Sequence, residues 1–316
     1  MTTAPDPKEF SLTKVSPSKI TLGTAQLGLH YGITNKQGFP SQKEALNILN
    51  HAKTGGITTF DTAPAYGKAE ERLGKWIQQY HSKEDSTPII VTKLPKFDPQ
   101  KNSNARNFVK ESIHHSLKAL GLKQIPLLLA HRGEDLLNPE ICDSINAAKH
   151  SGKICEFGAS VYEVEVAMEL IERTDIRALQ IPFSIVDQKF VKSGVAAKAK
   201  KKKIAIFTRS TFLQGVLLLP DNQIPEFLQD LRKPVKKLRE IAEFHRLSCA
   251  NILLRAIAHH NDVTSCVVGV ESIAQLKTHL ASHNAGPLSS KLSEEIFGLF
   301  SEIRPEIQNP GKWPKR

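Results

Sequence analysis

Short apolar runs alternate along this chain with longer stretches in which apolar residues recur every three or four positions. The runs are KITLGT (19–24), ITTFD (57–61), PIIVTK (88–93), IPLLLAH (125–131), KICEFGAS (153–160), RALQIPF (177–183), KIAIFT (203–208) and TSCVVGV (264–270). Their length and apolar character fit buried strands. Between them lie amphipathic windows such as SQKEALNILNHAKTGG (41–56), NFVKESIHHSLKALGL (107–122), NPEICDSINAAKHSGK (138–153) and SIAQLKTHLASHN (272–284). In several a glycine follows the last turn, which is how a helix stops.

Strict alternation of strand and helix implies parallel strands joined by right-handed crossovers. Eight such units predict an α/β fold, a single (β/α)8 TIM barrel spanning residues 1–316 as one domain. No low-complexity linker divides it. Residues 1–18 read as an N-terminal extension. The stretch 219–260 is too long for one crossover and predicts an extra helix beside the barrel helix. Residues 285–316 predict a C-terminal helix near SEEIFGLFSEI and a tail.

Composition narrows the class. The hydrophobic fraction is 40% and the charged fraction 24%, as in soluble globular proteins. No run approaches the roughly 20 apolar residues of a membrane span. The N-terminus has neither a signal peptide's apolar core nor a transit peptide's arginine bias. The cysteines at 142, 155, 249 and 266 never fall in a CxxC spacing and read as reduced thiols. A cytoplasmic location is the expectation. The net charge of +11 raises the question of a polyanionic partner. Its densest run, Lys198 with Lys200 to Lys203, has no interleaved aromatics and also suits a last helical turn. Nucleic acid is therefore not expected.

Catalytic residues of such a barrel sit at the C-terminal ends of its strands. Strand two ends in Asp61 with Tyr66 just beyond, strand three in Lys93 and strand four in His131. Each has a plain explanation alone: a cap, a packed ring, a surface cation, a core histidine. Together at three consecutive strand ends they form a proton-donating pocket. An ammonium near a phenol would lower its pKa, and a carboxylate would keep that ammonium charged despite burial. A neutral imidazole could orient a carbonyl oxygen. The set lacks a source of electrons, so it calls for a cofactor that delivers hydride.

LGTAQLG, FDTAPAYG, VTKL, LLLAH, GKICEFGAS, LQIPFS, RSTFLQG and VVGVESIAQL together resemble the aldo-keto reductase family over residues 20 to 283. RSTFLQG and IPFS are most similar to a bacterial branch found near sugar and polysaccharide biosynthesis. The resemblance implies that Tyr66 is the general acid and base, Lys93 and Asp61 its tuning pair, and His131 the substrate-orienting group. It implies a small-molecule carbonyl or alcohol substrate, sugar-related through RSTFLQG. It implies a nicotinamide cofactor, NADPH with NADH open, held by Gly23, Thr24, Asp61, Ser160, Gln180, Arg209, Ser210, Gly269, Val270, Glu271, Ser272, Gln275 and His279. Val161 stands where the family commonly has Asn, and Arg209 where it has an aromatic residue. Gln275 replaces an arginine that often meets the 2′-phosphate, and Glu271 would repel that phosphate. Gln180 could equally pair with a polar neighbour inside the barrel. Tyr31 in GLHYG lines the pocket mouth or simply packs in its loop. Two other classes stay open: a cofactor-binding, redox-sensing barrel that hardly turns over, and a basic binder of anionic surfaces or nucleic acid. A metal-dependent hydrolase is disfavoured, because strand ends five to eight offer no cluster of His or Asp.

Overall fold

Every apolar run becomes a parallel strand, and the eight close on themselves in chain order, β1 through β8, with β8 pairing back to β1. The computed structural model describes residue 12 and residues 16–35, 38–81 and 88–314. The expected N-terminal extension, except residues 12 and 16–18, lies outside the described residues. After β1 (Ile20–Gly23) come a short turn of helix, α1 (Ala25–Gly28), and α2 (Gln42–Thr54). Then follow β2 (Thr59–Asp61), α3 (Ala69–His81), β3 (Ile89–Leu94), α4 (Ala105–Leu120), β4 (Ile125–Ala130) and α5 (Pro139–His150). The second half runs β5 (Ile154–Ser160), α6 (Val164–Arg173), β6 (Ala178–Pro182), α7 (Lys189–Lys192), α8 (Val195–Lys201) and β7 (Ala205–Arg209). Two helices precede the last strand, α9 (Arg232–Phe244) and α10 (Cys249–Ala258), so the expected additional helix is present. β8 (Ser265–Gly269) is followed by α11 (Ile273–Asn284), α12 (Ser290–Gly298) and α13 (Pro305–Gln308).

Local chemistry explains where elements begin and end. Ser41 and Glu44 form a reciprocal capping box on α2. Asn104, Asn138, Ser248, Ser272 and Ser289 each accept a backbone N–H at a helix start. Gly121 closes α4 in a left-handed conformation at φ 65°. Two strands start two residues later than the apolar pattern suggests. Ile57 N–H is taken by Ala52 O at 3.0 Å, and Ile204 N–H by Ala199 O at 2.9 Å, so these residues finish the preceding helix rather than open a strand.

The two-residue period of a strand decides which side chains enter the barrel. Ile89 and Val91 of β3, Leu127 and Leu129 of β4, Ala178 of β6 and Phe207 of β7 form one inner cluster. Continuing those alternations toward the strand ends brings Lys93, His131, Gln180 and Arg209 to the same side. The opposite faces pack against the helices, as where Phe60 meets Trp76 at 4.9 Å between ring centroids.

The lysine run is a helix end. Lys198 and Lys202 both reach Glu172, at 2.5 and 2.6 Å, and Lys200 donates to Asn261 O at 2.7 Å. Among the described residues no helix is long and apolar enough to cross a membrane.

The inner wall is tight between β5 and β6. A Cβ on Gly158 would lie 2.0 Å from Ala178 O, with backbone on the receiving side. Gly158→Ala is therefore expected to destabilise the fold by about 1–3 kcal/mol. Urea denaturation reads this, with Gly298→Ala as the control, because a Cβ there meets nothing within 4 Å.

Candidate active site

The four strand-end groups converge. Lys93 Nζ donates to Asp61 Oδ1 at 2.7 Å, to Asp61 Oδ2 at 2.8 Å and to Thr62 O at 2.9 Å. All three ammonium protons are thus engaged, with Lys93 1% and Asp61 3% exposed. Gln180 Nε2 donates to Asp61 Oδ1 at 2.7 Å, the pairing inside the barrel that its position left open. Thr24 fixes the Asp61 backbone, its N–H and hydroxyl both donating to Asp61 O at 2.9 Å. The Lys93 ammonium lies 4.8 Å from the centre of the Tyr66 ring. Tyr66 in turn meets the His131 ring edge to face, 6.0 Å between centroids.

Tyr66 is placed by backbone contact. It ends a short 3₁₀ turn, Pro64–Tyr66, beyond β2. A Cβ on Gly28 would sit 2.0 Å from Tyr66 O, and Gly67, at φ 58°, would meet Gly28 O. Lys68 N–H donates to Gly28 O at 3.1 Å. Only glycines let α1 and this loop approach so closely.

Burial dominates the electrostatics. It pulls the Lys93 pKa down, against the upward effect of Asp61. The same cause, with Lys93, Lys96 and Arg209 nearby, holds His131 at about 3, so its imidazole is neutral. Tyr66 departs from the sequence-based expectation that Lys93 would make it more acidic. Its pKa is raised, first by burial and then by the Asp61 carboxylate. The physical reason is that the phenol is buried beside the Asp61 carboxylate, while Lys93 commits its protons to Asp61 and Thr62. Tyr31, 39% exposed at the mouth, is likewise pushed up to about 12, by burial first and by Tyr66 second.

The remaining expected positions form two groups. Ser160 is buried at the end of β5, and Arg209 ends β7 with its guanidinium carbon 3.9 Å over the Tyr162 ring. Ser210 follows at φ 70°, left-handed for a residue with a side chain. The second group surrounds β8 and α11. Gly23 and Gly269 are register partners, and a Cβ on Gly269 would collide with the Gln26 amide. Val270 is buried. Gln275 Oε1 accepts Glu271 N–H at 2.7 Å, while Ser272 Oγ accepts Gln275 N–H at 3.2 Å. His279 is 6% exposed and stacks on Phe212 at 5.0 Å, with Nδ1 buried and unpartnered. Its pKa is lowered by burial to about 4.

Thr62, Tyr162, Gln26 and Phe212 were not singled out from sequence. Tyr162 carried a readable signal, an aromatic two residues past a strand end. The others act through contacts with residues remote in the chain or through backbone carbonyls. A groove of about 320 Å³ opens beside the mouth, lined by His30, Asn35, Gln214, Phe227 and Trp313 among others. It joins the loops after β1 and β7 to the C-terminal tail.

Removing one member of the buried pair strands the other. Asp61→Ala is expected to cost about 3–5 kcal/mol in urea denaturation, with part of the loss recovered by adding Lys93→Met. A loss below about 1 kcal/mol would mean that Lys93 sheds its proton at no penalty.

The family model described as the aldo/keto reductase family matches residues 19–299. An aldo-keto reductase of Strobilurus tenacellus is 27% identical, covering 92% of this chain and 89% of its own. The D-arabinose 1-dehydrogenase of Saccharomyces cerevisiae is 24% identical, covering 95% and 94%. The L-glyceraldehyde 3-phosphate reductase of Escherichia coli K12 is 24% identical, covering 88% and 89%. Among solved structures, the holo form of an aldo-keto reductase from Bacillus halodurans superposes with a TM-score of 0.73 over 93% of this chain and 96% of that one, at 22% identity, which speaks to the fold. With eight parallel strands closed into a barrel and a family match running from the first strand into the C-terminal helices, this chain belongs to the aldo/keto reductase family.

Proposed function

We propose that the chain, acting as one domain over residues 1–316, reduces an aldehyde or ketone to an alcohol with NADPH or NADH. The observation that carries this reading is a phenol, Tyr66, standing between a buried ammonium–carboxylate pair and a neutral imidazole. The chain's own residues fit a dinucleotide. Ser160 at the end of β5 and Gln180 within β6 offer buried polar groups, and His279 Nδ1 is a buried ring nitrogen without a partner. The start of α11 favours an anion through its backbone amides. The Glu271 amide is already taken by Gln275 and adds a carboxylate beside it, which favours NADH relative to a cofactor bearing a further phosphate. When bound, the cofactor supplies hydride to the carbonyl carbon.

The residues do the rest. His131, neutral, hydrogen-bonds the carbonyl oxygen and fixes it toward Tyr66. Tyr66 gives its proton to the oxygen as charge develops there, and the nearby Lys93 ammonium stabilises the resulting phenolate. Asp61 keeps that ammonium charged in a buried setting. The raised Tyr66 pKa suits this direction, since the donor must be protonated. In the reverse direction the phenolate must accept a proton, so alcohol oxidation needs alkaline conditions. Relatives named for a sugar and a sugar phosphate support a sugar-related carbonyl as the substrate class.

Tyr66→Phe is expected to lower kcat for aldehyde reduction by about 10²–10⁴-fold while cofactor still binds, as read by fluorescence titration. Wild-type turnover at the detection limit across an aldehyde panel, with cofactor bound, would instead favour the redox-sensing alternative. The pH profile has a defined sign. His131 is held neutral down to about pH 4 and Tyr66 stays protonated into the alkaline range. The kcat for reduction should therefore stay flat from about pH 5 to about pH 9, and that for oxidation should rise with pH. A reduction limb with an apparent pKa near 7 would contradict the assignment.

A further inference from the structure

Arg209 is a charge in the cleft that the chain does not neutralise. Half-buried at the end of β7, it makes one long hydrogen bond, Nη2 to Val161 O at 3.4 Å. Its guanidinium carbon lies over the Tyr162 ring, 3.9 Å from the ring centre, a contact that uses none of its N–H donors. Among the described residues no carboxylate lies within ion-pair distance of it. Lys93 next to it is fully matched by Asp61, so the excess is Arg209's own. It ends β7 two residues beyond the inward-facing Phe207, on the side to which Lys93, His131 and Gln180 also come, among the groups that would receive a carbonyl. Asp187 also feels it, but that carboxylate is 2% exposed and lies 3.7 Å from Lys189. Lys96, exposed two residues beyond β3, adds a second unpaired cation acting on His131.

A half-buried guanidinium with free donors is matched best by an oxyanion, which it can hold through two parallel N–H bonds. We infer that this site takes aldehydes or ketones that carry a carboxylate or phosphate group, bound by Arg209 with Lys96 at the rim. The inference rests on the carbonyl-reductase reading and narrows it from any carbonyl to an anionic one.

The test compares paired substrates that differ only in the anion. With 4-carboxybenzaldehyde against benzaldehyde, and glycolaldehyde phosphate against glycolaldehyde, kcat/KM should favour the anionic member by roughly 10–100-fold, mainly through KM. The two pairs separate a carboxylate preference from a phosphate preference. Added salt should shrink the ratio. Arg209→Gln should bring it close to 1, and Lys96→Gln should lower it by a smaller factor. A binding arm works without turnover: calorimetric titration of NADH-saturated protein with 4-(hydroxymethyl)benzoate and with benzyl alcohol, a pairing in which no hydride can transfer, should show the same order.

Equal kcat/KM within both pairs overturns the inference while leaving carbonyl reduction standing. If neither member of any pair is reduced, the reductase reading fails, and calorimetry still decides whether the cleft prefers the anion. An anion preference that survives Arg209→Gln overturns it as well. So does an Arg209 variant that loses affinity for the nicotinamide cofactor but keeps the ratio, since Arg209 would then serve the cofactor.

Discussion

The structure of the site depends on one buried ion pair. An ammonium and a carboxylate taken out of water each carry a desolvation penalty of several kcal/mol, offset only when geometry and further hydrogen bonds are good. Here the hydrogen bonds are nearly all made, although burial still outweighs Asp61 and pulls the Lys93 pKa down. Lys93 places its three protons on two carboxylate oxygens and one carbonyl, and Asp61 receives an additional bond from Gln180. Thr24 clamps the Asp61 carbonyl from the neighbouring strand. Five residues from three strands and two adjoining loops are thereby tied to one point, and the barrel interior must close around them. The consequence for chemistry is that Lys93 cannot turn toward the phenol without giving up a bond. It acts on Tyr66 as a fixed charge at 4.8 Å from the ring.

That constraint explains where sequence reasoning succeeded and where it did not. The strands were legible because buried parallel strands are written as apolar runs, and Asp61, Lys93 and His131 were legible because each ends such a run with a titratable group. The rank of the interactions was not. Proximity of an ammonium to a phenol suggests a lowered pKa, but how its protons are shared depends on Thr62 O, a backbone atom with no sequence signature. Gln180 read equally as a cofactor contact and as a polar pair inside the barrel, and its partner, Asp61, lies 119 positions away, beyond the reach of any local pattern. The contact between Gln26 and Gly269 joins residues more than two hundred positions apart, which no local pattern encodes. Strand starts drifted by two residues where helix-closing bonds took the first amides.

The rim is organised by backbone that only certain residues tolerate. Ser210, Leu213 and Gln214 all adopt positive φ in the segment after β7, a cost of about 1–3 kcal/mol each. Local bonds hold the conformation: Leu213 N–H to Ser210 O at 2.8 Å and Gly215 N–H to Phe212 O at 2.9 Å. Thr34 reaches across from the loop after β1 to Gln214 O at 3.3 Å. The segment therefore answers to its neighbours. It delivers Arg209 onto Tyr162 at one end, lays Phe212 on His279 in the middle and lines the mouth groove with Gln214 at the other. The surface beside α11 and the groove at the mouth are thus joined by one stretch of six residues, 210–215, three of which hold positive φ with a side chain.

Charge is distributed across the cleft in two different ways. At the base, Lys93 and Asp61 cancel each other and leave the phenol in a setting that keeps its proton. Toward the mouth, Arg209 and Lys96 are uncancelled, and they add to the lowering of the His131 pKa that burial causes first and Lys93 second. Burial alone already disfavours a proton on the imidazole, and the cations add to that effect. A positive potential at the mouth opposes a proton on His131 and lowers the energy of an anion, so the two uncancelled cations act on both in the same sense.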